Sequence, residues 1–315
     1  MLNNISNILE KKEDFLRKST ECKRITLEEL DGIIELHKKY CKPGKNGKRA
    51  DLRNLDLQHI SFRNIDLSGA DLRGACLHRS FFADVDLSES NFEKANLSEA
   101  VLYKAKAPNS NFSNANMYGM KMNFVNMEKS NFENSYMMRL SADGVFTGSI
   151  FKHADLALSS MNGSDLSCSD MTGCKLINAS FNNVNLESAK LVKANIKGTK
   201  FRYTNFAGAD LTGLDLNMAE IFYSNLYGAK TDNKYIQLCL TGICNRITYC
   251  IEDNRVWEGD WTGSLNDFEK KIKNRSISTD ENLTYLKIIH CLKVMKGSGD
   301  LIDHVKRISE CIRLL

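Results

Sequence analysis

Between Ala50 and Ala229 the chain counts in fives, and that beat admits very few backbones. Taking the central residue of each five as position i gives Leu52, Leu57, Phe62, Leu67, Leu72, Leu77 and onward to Met137. A large apolar residue stands at i throughout, except at Ala107 and Ala142. Position i−2 is mostly Ala, Ser, Gly, Cys or Thr, and Asp or Asn recurs at i−1. One residue is missing between Ala142 and Phe146, after which the beat resumes at Phe151 and runs to Leu226. Neither the helical nor the strand period carries one large and one small residue inward every five positions over such a length. A chain that turns a corner every five residues does. If four corners close one coil, residues twenty apart stack; Phe92, Phe112, Phe132 and Phe151 keep that spacing, with one step shortened where the register slips. Phe62 with Phe82, and Phe181 with Phe201, repeat it on another side. The expected fold is an all-β solenoid, a four-sided β-helix of about nine coils, roughly 43 Å long at about 4.8 Å per coil.

The triplets Ala70-Asp71-Leu72, Ala95-Asn96-Leu97 and Ala209-Asp210-Leu211 carry the motif A-(D/N)-L-x-x, and by that motif the segment resembles the pentapeptide-repeat family. The resemblance implies a right-handed quadrilateral β-helix and no reaction of its own. It also implies one known activity, protection of DNA gyrase and topoisomerase IV from poisons by a rod that imitates duplex DNA in shape and negative charge. Charge argues against that role here. Residues 50–230 hold 18 Lys and Arg against 19 Asp and Glu, a net of −1, whereas a duplex carries a charge about every 1.7 Å. Outward positions i+1 on one side run Arg53, Arg73, Glu93, Ser113, Glu133 and Lys152, a mixed row. Topoisomerase binding by mimicry therefore stands as an alternative. Direct nucleic-acid binding is not expected either, because the remaining basic excess lies mainly in residues 1–49.

Open solenoid ends expose core and unpaired backbone, so covering segments are expected at both. Residues 1–49 read as an N-terminal helical cap. Its helices span Ile5 to Ser19 and Leu27 to Tyr40, the second opened by the capping box Thr26 and Glu29 and closed before Pro43-Gly44. The stretch His37 to Leu52 is similar to the lead-in of phage and bacterial family members, which implies a bacterial or prophage origin. Residues 231–315 read as a small C-terminal α+β domain or cap. Strands are expected at Arg246 to Glu252 and Arg255 to Trp261, a helix from Ser264 to about Lys273, and two more at about 280 to 296 and 300 to 314.

Chemistry is sparse. The six histidines sit in no metal or catalytic motif, there is no phosphate-binding loop or nucleophile elbow, and the many Asp residues at i−1 are placed to hydrogen-bond turn backbone. No catalytic, cofactor or metal site is expected. Ten cysteines without framework spacing read as reduced thiols rather than disulfides, with Cys174 at an inward small-residue position. No apolar run is long enough for a membrane helix, and Glu10, Glu13 and Asp14 fall where a signal peptide needs apolar residues. The expected location is cytoplasmic; the polar Met1 to Ile8 suggests a secreted effector as the alternative. One outward row is apolar: Tyr118, Met138, Ala157 and Ile177 should lie one above another. Tyr118, Met138 and Ile177 are the candidate partner-binding residues, for an unknown protein, a second copy in a homodimer, or the protein's own terminal helix. The expected function is non-enzymatic protein binding.

Overall fold

A computed structural model describes residues 22–42, 46–232, 235–239, 246–251, 253–259, 261–275 and 279–296. The chain divides into two units, Met1–Asp232 and Asn233–Leu315. In the first unit most five-residue repeats end in a turn closed by a bond from the N–H of i+3 to the carbonyl of i, as from Ala70 to Leu67 at 3.0 Å. Residues at i+2, among them Asn54, Arg79 and Lys94, have positive φ, the type II pattern. The expected job of Asp and Asn at i−1 is visible: Asp66 Oδ1 accepts the Ser68 N–H at 2.9 Å, and Asn91 Oδ1 accepts that of Glu93 at 3.0 Å. Coils join through parallel bonds such as Leu72 N–H to the Asn91 carbonyl at 2.7 Å. The bridges step by twenty residues, from Asp51 with Asp71 to Asp210 with Lys230, and Asn131 pairs with Ile150 across the slip.

Four faces result, which we number by the inward residues they carry: Leu52, Leu57, Phe62 and Leu67 open the first to fourth. On the third face the backbone is extended for longer, giving β3 (Ser61–Arg63), β4 (Phe81–Ala83), β5 (Val101–Tyr103), β6 (Lys121–Asn126) and β7 (Ser141–Val145) in one parallel sheet. Inside, Phe92, Phe112, Phe132 and Phe151 stack with centroids 4.7, 5.2 and 4.7 Å apart. Buried serines beside that column reach back to carbonyls of the preceding coil, as Ser110 Oγ does to Leu87 and Ser149 Oγ to Met127, each at 2.7 Å. Those bonds satisfy hydroxyls that would otherwise be costly inside.

The missing residue is absorbed on the third face. Pairing runs Met122 with Ala142, then shifts so that Val125 meets Gly144. Gly144 has φ +148°, and a Cβ there would stand 2.3 Å from the Val125 carbonyl oxygen, so only glycine fits. Phe124 is pushed outward at this point, and its N–H is held by the Asp143 carboxylate.

At the N-terminal end, β1 (Lys23–Arg24) pairs in parallel with β2 (Leu55–Asp56), and α1 (Leu27–Tyr40) follows with both halves of its Thr26–Glu29 capping box formed. The helix expected at Ile5 to Ser19 lies outside the described residues. One expectation is corrected here. Cys22 and Cys76 form a disulfide across a sequence separation of 54 residues. Spacing could not reveal it, because the bond depends on register: Lys23 faces Leu55 and Arg24 faces Asp56, while Asp56 in turn bridges Cys76 on the next coil. Cys41, Cys168 and Cys174 are free thiols.

The second unit holds a four-stranded antiparallel sheet in the order β11-β10-β9-β8, from β8 (Tyr235–Cys239), β9 (Arg246–Cys250), β10 (Arg255–Glu258) and β11 (Trp261–Ser264). Two helices follow, α2 (Leu265–Lys273) and α3 (Thr279–Lys296). The β9–β10 hairpin and both helices match the pattern read from sequence, except that the strand expected from Arg255 to Trp261 ends at Glu258 and Trp261 opens β11, antiparallel to it; β8 extends the sheet, and the helix expected at 300 to 314 lies outside the described residues. Its core gathers Ile247, Tyr249, Val256, Phe268, Ile272 and Tyr285. Glu258 is buried against Lys271 and Arg275, each 2.7 Å away. Among the described residues no helix is long and apolar enough to cross a membrane.

Candidate interaction surface

Among the described residues one cluster could hold a metal ion: His37 in the last turn of α1 and Cys41, which caps its C-terminal end, with Asp66 of the first coil. The hydrogen bonds decide how it is used. His37 is fully buried, and its Nδ1 accepts the Ala50 N–H at 3.0 Å. A ring nitrogen that accepts carries no proton, so in the neutral imidazole the proton sits on Nε2, where an ion would need a lone pair. Nε2 faces Cys41 Sγ at 3.6 Å. Burial lowers the His37 pKa and raises that of the Cys41 thiol; both groups are held neutral, which suits neither a thiolate ligand nor a nucleophile. Asp66, despite the burial that raises its pKa, is held below its ordinary range by hydrogen bonds from Ser68 and Cys41. The cluster ties α1 to the first coils. Cys174 is equally unsuited to chemistry: burial drives its pKa up, and its Sγ donates to the Phe151 carbonyl.

The apolar row read from sequence is stacked in register on the second face. Gly119 N–H bonds the Met138 carbonyl, Arg139 that of Ala157, and Leu158 that of Ile177. Its exposure is uneven. Met138 is only 7% exposed, with Tyr136 Oη against its sulfur, while Tyr118, Ala157 and Ile177 are half-buried. The Tyr118 ring lies parallel to that of Tyr136, and burial pushes the Tyr136 pKa up to about 12. Much of this row is thus covered by its own neighbours, with exposed Leu158 beside it.

The third face carries a surface that the i+1 rows of the first and second faces do not reach. Exposed aromatic rings stand there at two levels. Toward the N-terminal end the Arg63 guanidinium lies 4.5 Å from the Phe81 ring centroid, Lys104 Nζ 5.2 Å from Tyr103, and Tyr103 meets Phe124 edge-on at 6.0 Å. Toward the other end Arg202 lies 5.4 Å from Phe222, and Tyr203 stacks on Tyr223 at 4.9 Å. Phe124 and Tyr203 are 65% and 62% exposed. The sequence signal was available: Tyr203 and Tyr223 occupy the same i+2 position twenty residues apart, as do Lys104 and Phe124.

The family model for pentapeptide repeats matches this chain in 8 copies, at residues 48–82, 82–119, 95–137, 145–178 and 179–217. Among solved structures, HetL of the cyanobacterium Nostoc sp. strain PCC 7120, a pentapeptide repeat protein involved in heterocyst differentiation regulation, is 20% identical; the match covers 63% of this chain and 93% of that one, with a TM-score of 0.32. QnrB1, a plasmid-mediated fluoroquinolone resistance protein, is 15% identical over 55% of this chain and 92% of its own, with a TM-score of 0.39. Rfr23 of the cyanobacterium Cyanothece 51142 is 22% identical over 38% and 88%, with a TM-score of 0.26. No curated protein matches the chain.

Proposed function

The chain belongs to the pentapeptide-repeat family, and on that premise we propose that it is a non-enzymatic protein that binds another protein through the flat faces of its β-helix. The observation that carries this reading is the pair of exposed aromatic and cationic clusters on the third face. Tyr, Phe and Arg are side chains that concentrate binding energy at protein interfaces, and a solenoid presents them in rows. Tyr118, Ile177 and Leu158 on the second face form a smaller apolar neighbour that a partner could also cover. Polar groups that could imitate chemistry are already committed: Asp and Asn at i−1 to turns, His37 to the Ala50 amide. Mimicry of DNA is disfavoured by the near balance of acidic and basic residues over 50–230.

The test is capture by the full chain with polar substitutions made on one face at a time. Retention of one protein in near-stoichiometric amount, abolished by substitutions on one face and by no other, supports the reading. Retention that no face variant alters refutes it. The Cys22–Cys76 bond favours a second question about location, because disulfides persist in oxidising compartments. A secreted role predicts the bond intact when cells are quenched with an alkylating agent; quantitative alkylation of Cys22 and Cys76 inside cells supports a cytoplasmic one.

A further inference from the structure

We propose that the third face docks an acidic, elongated element of a partner protein that lies along the stack of coils and bridges the two aromatic clusters. This rests on the protein-binding reading and specifies its partner. The clusters are set apart by a polar stretch of small side chains, Ser141, Ser160 and Ser180 at i−1 with Asn162 and Asn182 at i+1. Tyr103 and Arg202 occupy the same position five coils apart, about 24 Å at about 4.8 Å per coil. A partner helix of about 16 residues covers that distance at its rise of 1.5 Å per residue.

Charge selects the partner's sign. The third face presents Arg63, Lys104, Lys121, Lys200 and Arg202 against Asp84, Asp143 and Glu220. The fourth face, around the corner, presents Asp66, Asp86, Glu89, Glu128, Asp165 and Glu187 against Lys106 and Lys129. An acidic element is drawn to the third face and repelled from the fourth, which is how charge complementarity fixes register more than affinity. Lys104 lies over Tyr103, and Arg202, already bonded to Glu220 at 2.9 Å, lies beside Phe222, so an arriving carboxylate meets a cation held at an apolar ring most directly at Lys104, and the rings cover the apolar part of the partner.

The same geometry disfavours a nucleic acid strand. Base binding needs an open ring face to stack on, and the stack of Tyr203 on Tyr223, at an interplanar angle of 5°, takes up one face of each ring. Five cations against Asp84, Asp143 and Glu220 leave the face a net of +2, too sparse to match a strand that carries a charge about every 3.4 Å.

The experiment uses the full chain and four labelled polymers: a random copolymer of glutamate and tyrosine, poly-glutamate, poly-lysine and single-stranded DNA. Binding is read by fluorescence anisotropy, with circular dichroism confirming the fold of each variant. The wild type is expected to prefer the copolymer over poly-glutamate and to ignore poly-lysine at this face. The charge reversal Lys104→Glu/Lys121→Glu/Lys200→Glu, and separately Phe124→Ser/Tyr203→Ser, should each weaken copolymer binding by about tenfold or more. Ser113→Ala/Glu133→Gln on the first face should leave it unchanged. Lys104→Glu and Tyr203→Ser alone give the same sign if a multiple variant does not fold. No copolymer binding by the wild type, equal binding by the folded third-face variants, or tighter binding of DNA through the same residues overturns the proposal. In that event the capture experiment still separates the two ideas: a partner lost only with the second-face variant leaves protein binding standing and removes this surface, while a captured protein indifferent to every face removes both.

Discussion

Phe132→Ala tests the account of the core most directly. Phe132 is fully buried, stacked between Phe112 at 5.2 Å and Phe151 at 4.7 Å with ring planes within 9° of each other, and it also touches Phe146 at 6.2 Å. Truncation removes the transfer energy of the ring and leaves a cavity, for which Phe→Ala changes cost about 3–5 kcal/mol. The upper part of that range is expected for two reasons. Two stacked neighbours each lose a pairing worth about 0.5–1.5 kcal/mol beyond buried area. In addition, the cavity cannot close, because the coils above and below are held by backbone bonds of 2.7 Å (Phe112 N–H to Asn131) and 2.6 Å (Phe132 N–H to Ile150). Phe132→Leu refills much of the cavity, as Leu52, Leu72 and Leu191 do in the same column on other coils, but loses both stackings, so it should cost about 1–3 kcal/mol and less than the alanine change. The assay is urea unfolding followed by far-ultraviolet circular dichroism. Tryptophan fluorescence would miss the effect, as Trp257 and Trp261 both lie in the second unit. A loss below about 1 kcal/mol, or a leucine variant as damaged as the alanine one, refutes the stacked-column argument.

Three further outcomes follow from other sites. Burial lowers the His37 pKa below its ordinary 6.5; the unfolded chain then binds the extra proton, so this contribution to stability is complete above about pH 6.5 and is lost as pH falls toward the folded value. Hydrogen exchange of the Ala50 amide, whose acceptor is His37 Nδ1, should quicken over that window, and no change relative to Leu72 counts against the assigned tautomer. Reducing the Cys22–Cys76 bond, which closes a loop of separation 54, should destabilise the N-terminal end by up to about 4 kcal/mol on the chain-entropy estimate; the Cys22→Ser/Cys76→Ser variant should melt like the reduced wild type, and a wild type indifferent to dithiothreitol disproves the expectation. Glu258→Gln should cost about 3 kcal/mol, the low end for breaking a buried pair, because Lys271 and Arg275 keep some exposure. Tryptophan fluorescence in urea reports that loss, and an unchanged midpoint would show the pair to be dispensable.

The core was legible because repetition averages over local ambiguity. A single Ala-Asp-Leu triplet says little, but a large residue at every i from Leu52 to Leu226 save Ala107 and Ala142 leaves one geometry, and even the missing residue near Gly144 could be located by counting. Features that depend on how a non-repeating segment docks were out of reach. The Cys22–Cys76 bond follows from β1 aligning with β2, and the His37 contact follows from where α1 meets the first coil; neither register is written in the five-residue beat. The outward surface lies between these cases. The row Tyr118, Met138, Ala157 and Ile177 could be aligned from sequence, yet its exposure could not, because Tyr136 at i−1 covers Met138 from beside it. On the third face the reverse holds. Turn position i+2, with positive φ at Phe124, Tyr203 and Tyr223, throws each side chain clear of the coil, so rings there remain exposed whatever flanks them. A row of aromatics at i+2 is therefore better evidence of an interaction face in a five-residue solenoid than the same row at i+1.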